Sequence, residues 1–174
     1  MADPLSSPSK GGVRIRAITG RSILRLKSWL PKNDAAVTVA GIELPARIGA
    51  LNPGELRALC TGPSDWLLVS RSRLLGSVRG RIGTEAASQG LAVADLSAGL
   101  AVLEISGAAV QAVLAKSCGL DFDPRNFSYP QCARTRLAQL AVVIDIHDSE
   151  DGVDLYVARS YDSWLNDWLT DSNL

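Results

Sequence analysis

Two apolar runs, Glu55 to Thr61 and Asp65 to Ser70, are separated only by Gly62-Pro63-Ser64. A parallel neighbour needs a crossover of roughly a dozen residues or more. The two runs must therefore pair antiparallel about a tight turn. Pro63 presets φ for that turn and has no N–H to give to a ladder. Leu56, Ala58 and Cys60 share one face of the first strand, and Trp66, Leu67, Leu68 and Val69 form a nearly continuous apolar run in the second.

The same logic extends along the chain. Val13 to Ile18 alternates apolar residues with Arg14 and Arg16, the pattern of a half-buried strand. Thr19-Gly20 breaks it, and Ser22 to Trp29 continues as a second strand that Pro31 ends. Asp34 to Ala40 fits a short helix, although Val37, Thr38 and Val39 also suit a strand. Gly41, Pro45, Gly49, Pro53 and Gly54 punctuate a long connection. From Ser72 to Gln89 the residues Leu75, Val78, Ile82 and Ala86 recur at helical spacing, and Gly90 stops that helix by accepting positive φ. Leu91 to Asp95 and Leu100 to Ile105 read as strands. Ser106 is positioned to cap a helix from Ala108 to Ser117 that Gly119 ends. Cys132 to Gln139, Leu140 to His147 and Val153 to Ala158 complete the strands, with a polar hairpin turn at Ser149-Glu150-Asp151-Gly152. Ser160 is positioned to cap a last helix whose apolar stripe is Tyr161, Trp164, Leu165, Trp168 and Leu169. The expected class is α+β, with largely antiparallel sheets and two split β-α-β-like halves.

With 174 residues the chain fits one globular domain over 13–174, divisible into halves 13–90 and 91–174, after a disordered tail at 1–12. A chain of this length buries roughly 70% of its unfolded surface and needs no disulfide or metal to fold. Lys plus Arg and Asp plus Glu are equal at 18 each, so no long-range field draws in nucleic acid or an anionic membrane. No apolar run reaches the roughly 18 residues of a membrane helix. The N-terminus lacks the apolar centre of a signal peptide. Cys60, Cys118 and Cys132 are odd in number and widely spaced, which argues against a disulfide framework or a zinc site and points to a reducing, cytoplasmic setting. The sequon Asn126-Phe127-Ser128 would matter only in a secreted protein.

Catalytic groups are sparse. His147 is the single histidine, and nothing in the sequence orients it; flanked by Asp145 and Asp148, it reads as a solvated strand-end residue. No ligand set for a metal is recognisable. Gly76, Gly80 and Gly83 lie inside a helical pattern with no Gly-Lys-Ser/Thr behind them, so they read as packing glycines rather than a phosphate loop. Asp121 and Asp123 read as a loop with Asx turns. Arg71, Arg73, Arg79 and Arg81 read as a solvated helix face. Trp66 reads as core. Trp164 and Trp168 either pack their helix on the sheet or contribute to a docking surface, because Trp is enriched at interface hot spots.

Three stretches carry a family resemblance. Thr61-Gly62-Pro63-Ser64-Asp65-Trp66-Leu67-Leu68 resembles the Gly-Pro-(Asp/Ser)-(Glu/Asp)-Trp-Leu-Leu hairpin of sarcosine oxidase gamma subunits. Asp95-Leu96-Ser97, Leu103-Glu104-Ile105-Ser106-Gly107 and Leu114 to Asp121 resemble that family's central block. Cys132 to Ala138 and Tyr156-Val157-Ala158-Arg159-Ser160-Tyr161, followed by Trp168-Leu169, resemble its end. The similarity runs from about Val13 to Leu169. It implies the α+β architecture of the folate-binding domains of aminomethyltransferases. It also implies a non-catalytic gamma subunit in a heterotetramer with alpha, beta and delta subunits, with no nucleic acid and no membrane involved. FAD, FMN, NAD and tetrahydrofolate would serve that complex, with none of them held by this chain. The alternative is a stand-alone folate or one-carbon-binding domain, in which Arg134, Arg136 or Arg159 would clamp the glutamate tail.

Overall fold

A computed structural model of the chain describes residues 12–29, 37–52, 54–74, 76–123, 125, 130–147 and 152–172. The expectations for the tail at 1–12, Pro31, the sequon and the Ser149–Asp151 turn fall wholly or mainly outside these residues.

The strands are β1 (Arg14–Ile18), β2 (Ile23–Ser28), β3 (Val37–Val39), β4 (Ile42–Leu44), β5 (Leu51–Asn52), β6 (Leu56–Gly62), β7 (Asp65–Ser70), β8 (Leu91–Asp95), β9 (Leu100–Ser106), β10 (Gln131–Leu137), β11 (Leu140–Ile146) and β12 (Gly152–Ala158). The helices are α1 (Gly76–Ser88), α2 (Val110–Ala115) and α3 (Asp162–Ser172), the last preceded by a 3-10 turn at Arg159–Tyr161. Each described strand pairing is antiparallel. Val37 to Val39 adopts the strand alternative.

The chain forms two compact units, one from Gly20–Ala98 and one from the described residues of Met1–Thr19 and Gly99–Leu174. A cut at residue 90 therefore does not follow the contacts, because β1 belongs with the C-terminal strands and β8 with the N-terminal ones.

The 20–98 unit has a five-stranded sheet in the order β5-β6-β7-β2-β8 and a two-stranded hairpin, β3-β4. β7 and β8 both lie antiparallel to β2, so they run parallel to each other. α1 carries the chain across β2 from one to the other, which is the split β-α-β unit expected from the sequence. β7 is buried at every position, and this explains its unbroken apolar run. Leu24, Leu26, Trp66 and Leu68 pack with Ile82 and Ala86 of α1 and with Val39 and Leu44 of the small hairpin. Trp66 donates its indole N–H to the Pro45 carbonyl at 2.7 Å. The buried Asp65 carboxylate accepts two bonds from Arg25, from Nε at 2.8 Å and from a terminal nitrogen at 2.5 Å. That pair holds the arginine's proton more tightly than usual. Asp65 and Trp66 of the hairpin motif are thus tied down inside the unit.

α1 starts later than its periodicity predicts. The Leu74 N–H is taken by the Ser22 hydroxyl at 2.9 Å, which pins the segment before Gly76 to the start of β2. The packing role expected for Gly76, Gly80 and Gly83 is not found, since a Cβ at any of them would meet open space. Gly90 does terminate the helix region with φ of 72°.

The second unit has the sheet order β1-β9-β12-β11-β10. Here α2 leads from β9 to β10, which lies at the far edge and antiparallel to β9, so no split β-α-β unit forms. One face of the sheet, with Ile15, Leu103, Ile105, Ile144 and Leu155, packs with Val110, Val113 and Leu114 of α2 and Leu165 and Leu169 of α3. Full burial of a side chain of this size contributes about 1.5–3 kcal/mol.

Two expected caps are absent. Ser106 remains in the sheet, opposite Arg14 and Gly152, and α2 begins after Ala109 without a side-chain cap. Ser160 lies in the 3-10 turn, and Asp162 opens α3. α2 also stops before Gly119, because Cys118 bridges to Leu137 and Ser117 receives the Ala138 N–H. The β10–β11 turn is Ala138-Gln139, both with positive φ (47° and 73°).

Candidate functional site

α3 sorts its stripe into two parts. Leu165 and Leu169 are fully buried in the core, and Trp168 packs against that core while half-buried. Trp164 is 48% exposed and Tyr161, three residues earlier, is 49% exposed. The helix therefore has an inner apolar seam and an outer aromatic shoulder. On its polar flank α3 borders a cleft of about 200 Å³ lined by Ala17 and Leu103 from the sheet and by Asp162, Ser163, Asn166 and Asp167 from the helix. The sequence stripe identified Trp164; the polar flank of α3 escaped it, because charged residues opposite a stripe ordinarily face water.

Arg134 and Arg136 are exposed and alternate along one face of β10. Arg159 follows β12, which β11 separates from β10, a spacing of roughly 10 Å. Its guanidinium donates to the Leu100 carbonyl at 2.5 Å and its backbone N–H to Gly99 at 2.9 Å. The first two arginines are neighbours, and the third is tied to the start of β9.

His147 is not a free surface residue. Its Nε2 lies 3.2 Å from Oδ2 of the buried Asp154, and its ring packs so closely on Gly152 that a Cβ there would come within 2.7 Å of Nδ1. The pairing depends on the β11–β12 register, which brings Asp154 back from seven residues further on. Asp154 in turn lies opposite Asp145 and Glu104, so a row of acids crosses the sheet and ends in the Arg16–Glu104 ion pair at 3.0 Å. No group of three or more metal-ligating side chains occurs among the described residues.

The Asp121 and Asp123 carboxylates accept the Asp123 and Arg125 N–H groups at 2.9 Å each, which are the expected Asx turns. The Arg125 side chain then holds Asp123 below the usual carboxylate range. Arg79 pairs with Asp95, and Arg81 donates to the Ala40 carbonyl and lies 3.8 Å from Glu85.

Residues 28–174 match the model of the sarcosine oxidase, gamma subunit family. The chain belongs to this family. A sarcosine oxidase subunit gamma from Corynebacterium sp. (strain U-96) is 30% identical over 168 residues, covering 90% of this chain and 80% of the relative. Another from Arthrobacter sp. is 33% identical over 137 residues, covering 76% of this chain and 61% of the relative. A chain of the solved heterotetrameric sarcosine oxidase from Corynebacterium sp. U-96, in complex with pyrrole 2-carboxylate, superposes with a TM-score of 0.82. That match covers 97% of this chain and 87% of the other at 23% identity. The glycine cleavage system aminomethyltransferase T from Bartonella henselae superposes with a TM-score of 0.64 at 17% identity, covering 95% of this chain and 47% of its own. The gamma subunit family and aminomethyltransferase T thus share this α+β architecture. No described helix is long and apolar enough to cross a membrane.

Proposed function

We propose that this chain is the non-catalytic gamma subunit of a heterotetrameric sarcosine oxidase, stabilising or completing an assembly with alpha, beta and delta subunits. The family match over residues 28–174 carries the reading. FAD, FMN and NAD sit in the other subunits, tetrahydrofolate accepts the one-carbon unit, and the complex works in the cytoplasm. Trp164, backed by Trp168, contributes to the contact with a partner, as an exposed Trp beside a packed one is suited to do. The test is co-expression with the three other subunits, purification through a tag on this chain alone, and measurement of the visible spectrum and sarcosine-dependent peroxide release. A yellow, high-mass, active species is expected. A colourless species of monomer size would remove the reading.

A second reading is a stand-alone folate or one-carbon-binding domain. It is favoured by the paired exposure of Arg134 and Arg136, with Arg159 beyond them, on a fold like that of aminomethyltransferase T. Tetrahydrofolate titration of the isolated chain decides it, and no saturable binding sinks it.

A further inference from the structure

The cleft beside α3 has a floor and a rim of different chemistry. Ala17 and Leu103 are cross-strand partners on β1 and β9 and supply an apolar floor. Asp162, Ser163, Asn166 and Asp167 stand along one flank of the helix and make the rim. A cavity of about 150 Å³ already admits a benzene molecule, so this cleft of about 200 Å³ admits the aliphatic stem of one long side chain.

Charge narrows the choice. α3 carries Asp162, Asp167 and Asp171 and no Lys or Arg, although the chain as a whole is balanced. Asp162 accepts the Ser163 N–H at 2.6 Å. Neither Asp162 nor Asp167 has an ion pair among the described residues. Asp171 stands in the last turn, where a carboxylate opposes the helix dipole and no basic residue offsets it. A local rule broken without internal compensation points outward. Tyr161 and Trp164 lie outside the cleft, across the buried Leu165–Leu169 seam from Asp162 and Asn166, and are half exposed, so an aromatic surface of the kind that attracts cations is available further round the helix.

We propose that this face of α3 seats a cationic segment of a partner subunit. A Lys or Arg of that segment lays its stem on Ala17 and Leu103, places its charge between Asp162 and Asp167, and brings apolar neighbours onto Trp164. The three carboxylates repel an anionic membrane surface, which leaves a polypeptide as the occupant. The inference rests on the subunit reading above and gives the docking surface its chemistry.

The test uses the full chain and the alpha, beta and delta subunits. Capture by the tagged chain is titrated at about 50 mM and about 500 mM salt, a range over which exposed ion pairs are progressively screened. Asp162→Lys with Asp167→Lys should weaken capture on the order of tenfold. Asp162→Asn with Asp167→Asn should flatten the salt dependence, and it decides the matter if the reversed pair fails to fold by circular dichroism. Hydrogen exchange should slow across 161–172 on assembly. Variants that assemble like the parent with the same salt dependence, or an α3 left unprotected in the complex, overturn this inference and leave the subunit reading intact. A parent chain that captures no subunit at either salt overturns both.

Discussion

Asp95 sits in a ring of donors. Ser97 gives it a backbone N–H at 2.9 Å and a hydroxyl at 2.6 Å, and Arg79 faces it. The Ser97 bonds, hydroxyl first, and then Arg79 hold its pKa below the ordinary carboxylate range. A lowered folded pKa adds stability that is fully present above the unfolded value of about 3.9 and is lost as pH falls through the folded value. Asp95→Asn should therefore destabilise the protein at about pH 7, and urea unfolding should show the gap closing as pH drops below about 4. A gap unchanged at about pH 3 would mean that the charge is not what matters. Legibility at this scale followed sequence distance. The Asx turns at Asp121 and Asp123 and the stop at Gly90 involve near neighbours and could be read directly. The His147–Asp154 pair could not, because it exists only once two strands are in register. Ser106 misled for the converse reason: its hydroxyl suits a cap, but its backbone is committed to strands on both sides.

The β10–β11 hairpin was legible as two strands and illegible as a turn. Its two central residues have positive φ, which usually calls for Asn-Gly, yet Ala138 and Gln139 occupy them. A left-handed conformation costs a residue with a side chain about 1 kcal/mol. Gln139 is exposed and makes no demand on space, so Gln139→Gly should raise stability by about that amount. A midpoint shift in thermal or urea unfolding checks it, and an unchanged or lower midpoint counts against the strain. α3 illustrates a different limit. Its periodicity identified every member of the stripe, and the burial of Leu165 and Leu169 followed. Which aromatic stays outside depends on what the rest of the unit presents beneath the helix, and the periodicity of α3 carries no record of that.

For the molecule as a whole, local alternation recovered β1, β2 and β6 to β12, whereas β4 and β5 lie in the stretch read as a punctuated connection and the grouping of the strands was out of reach. Pairing β1 with β9 rather than with its neighbour β2 is a long-range choice that no window of sequence displays. Its energetic consequence can be tested. Ile15 of β1 and Val13 just before it join the C-terminal core, and β1 covers one edge of β9. Deleting residues 1–19 should therefore strip the Gly99–Leu174 part of its edge and produce early unfolding and aggregation, read by hydrogen exchange in 100–106 and by light scattering. Exchange as slow as in the parent would show that β1 is dispensable. The same pairing also has a temporal side. Arg16 must wait for Glu104, which follows it by 88 residues. Ribosomes add roughly 5–20 residues per second, so the first strand to leave the exit tunnel stays single for roughly 4–18 seconds. During that interval the 20–98 segment can complete its own sheet. The alternating Arg14 and Arg16 give the waiting strand a charge that discourages it from pairing with another nascent chain.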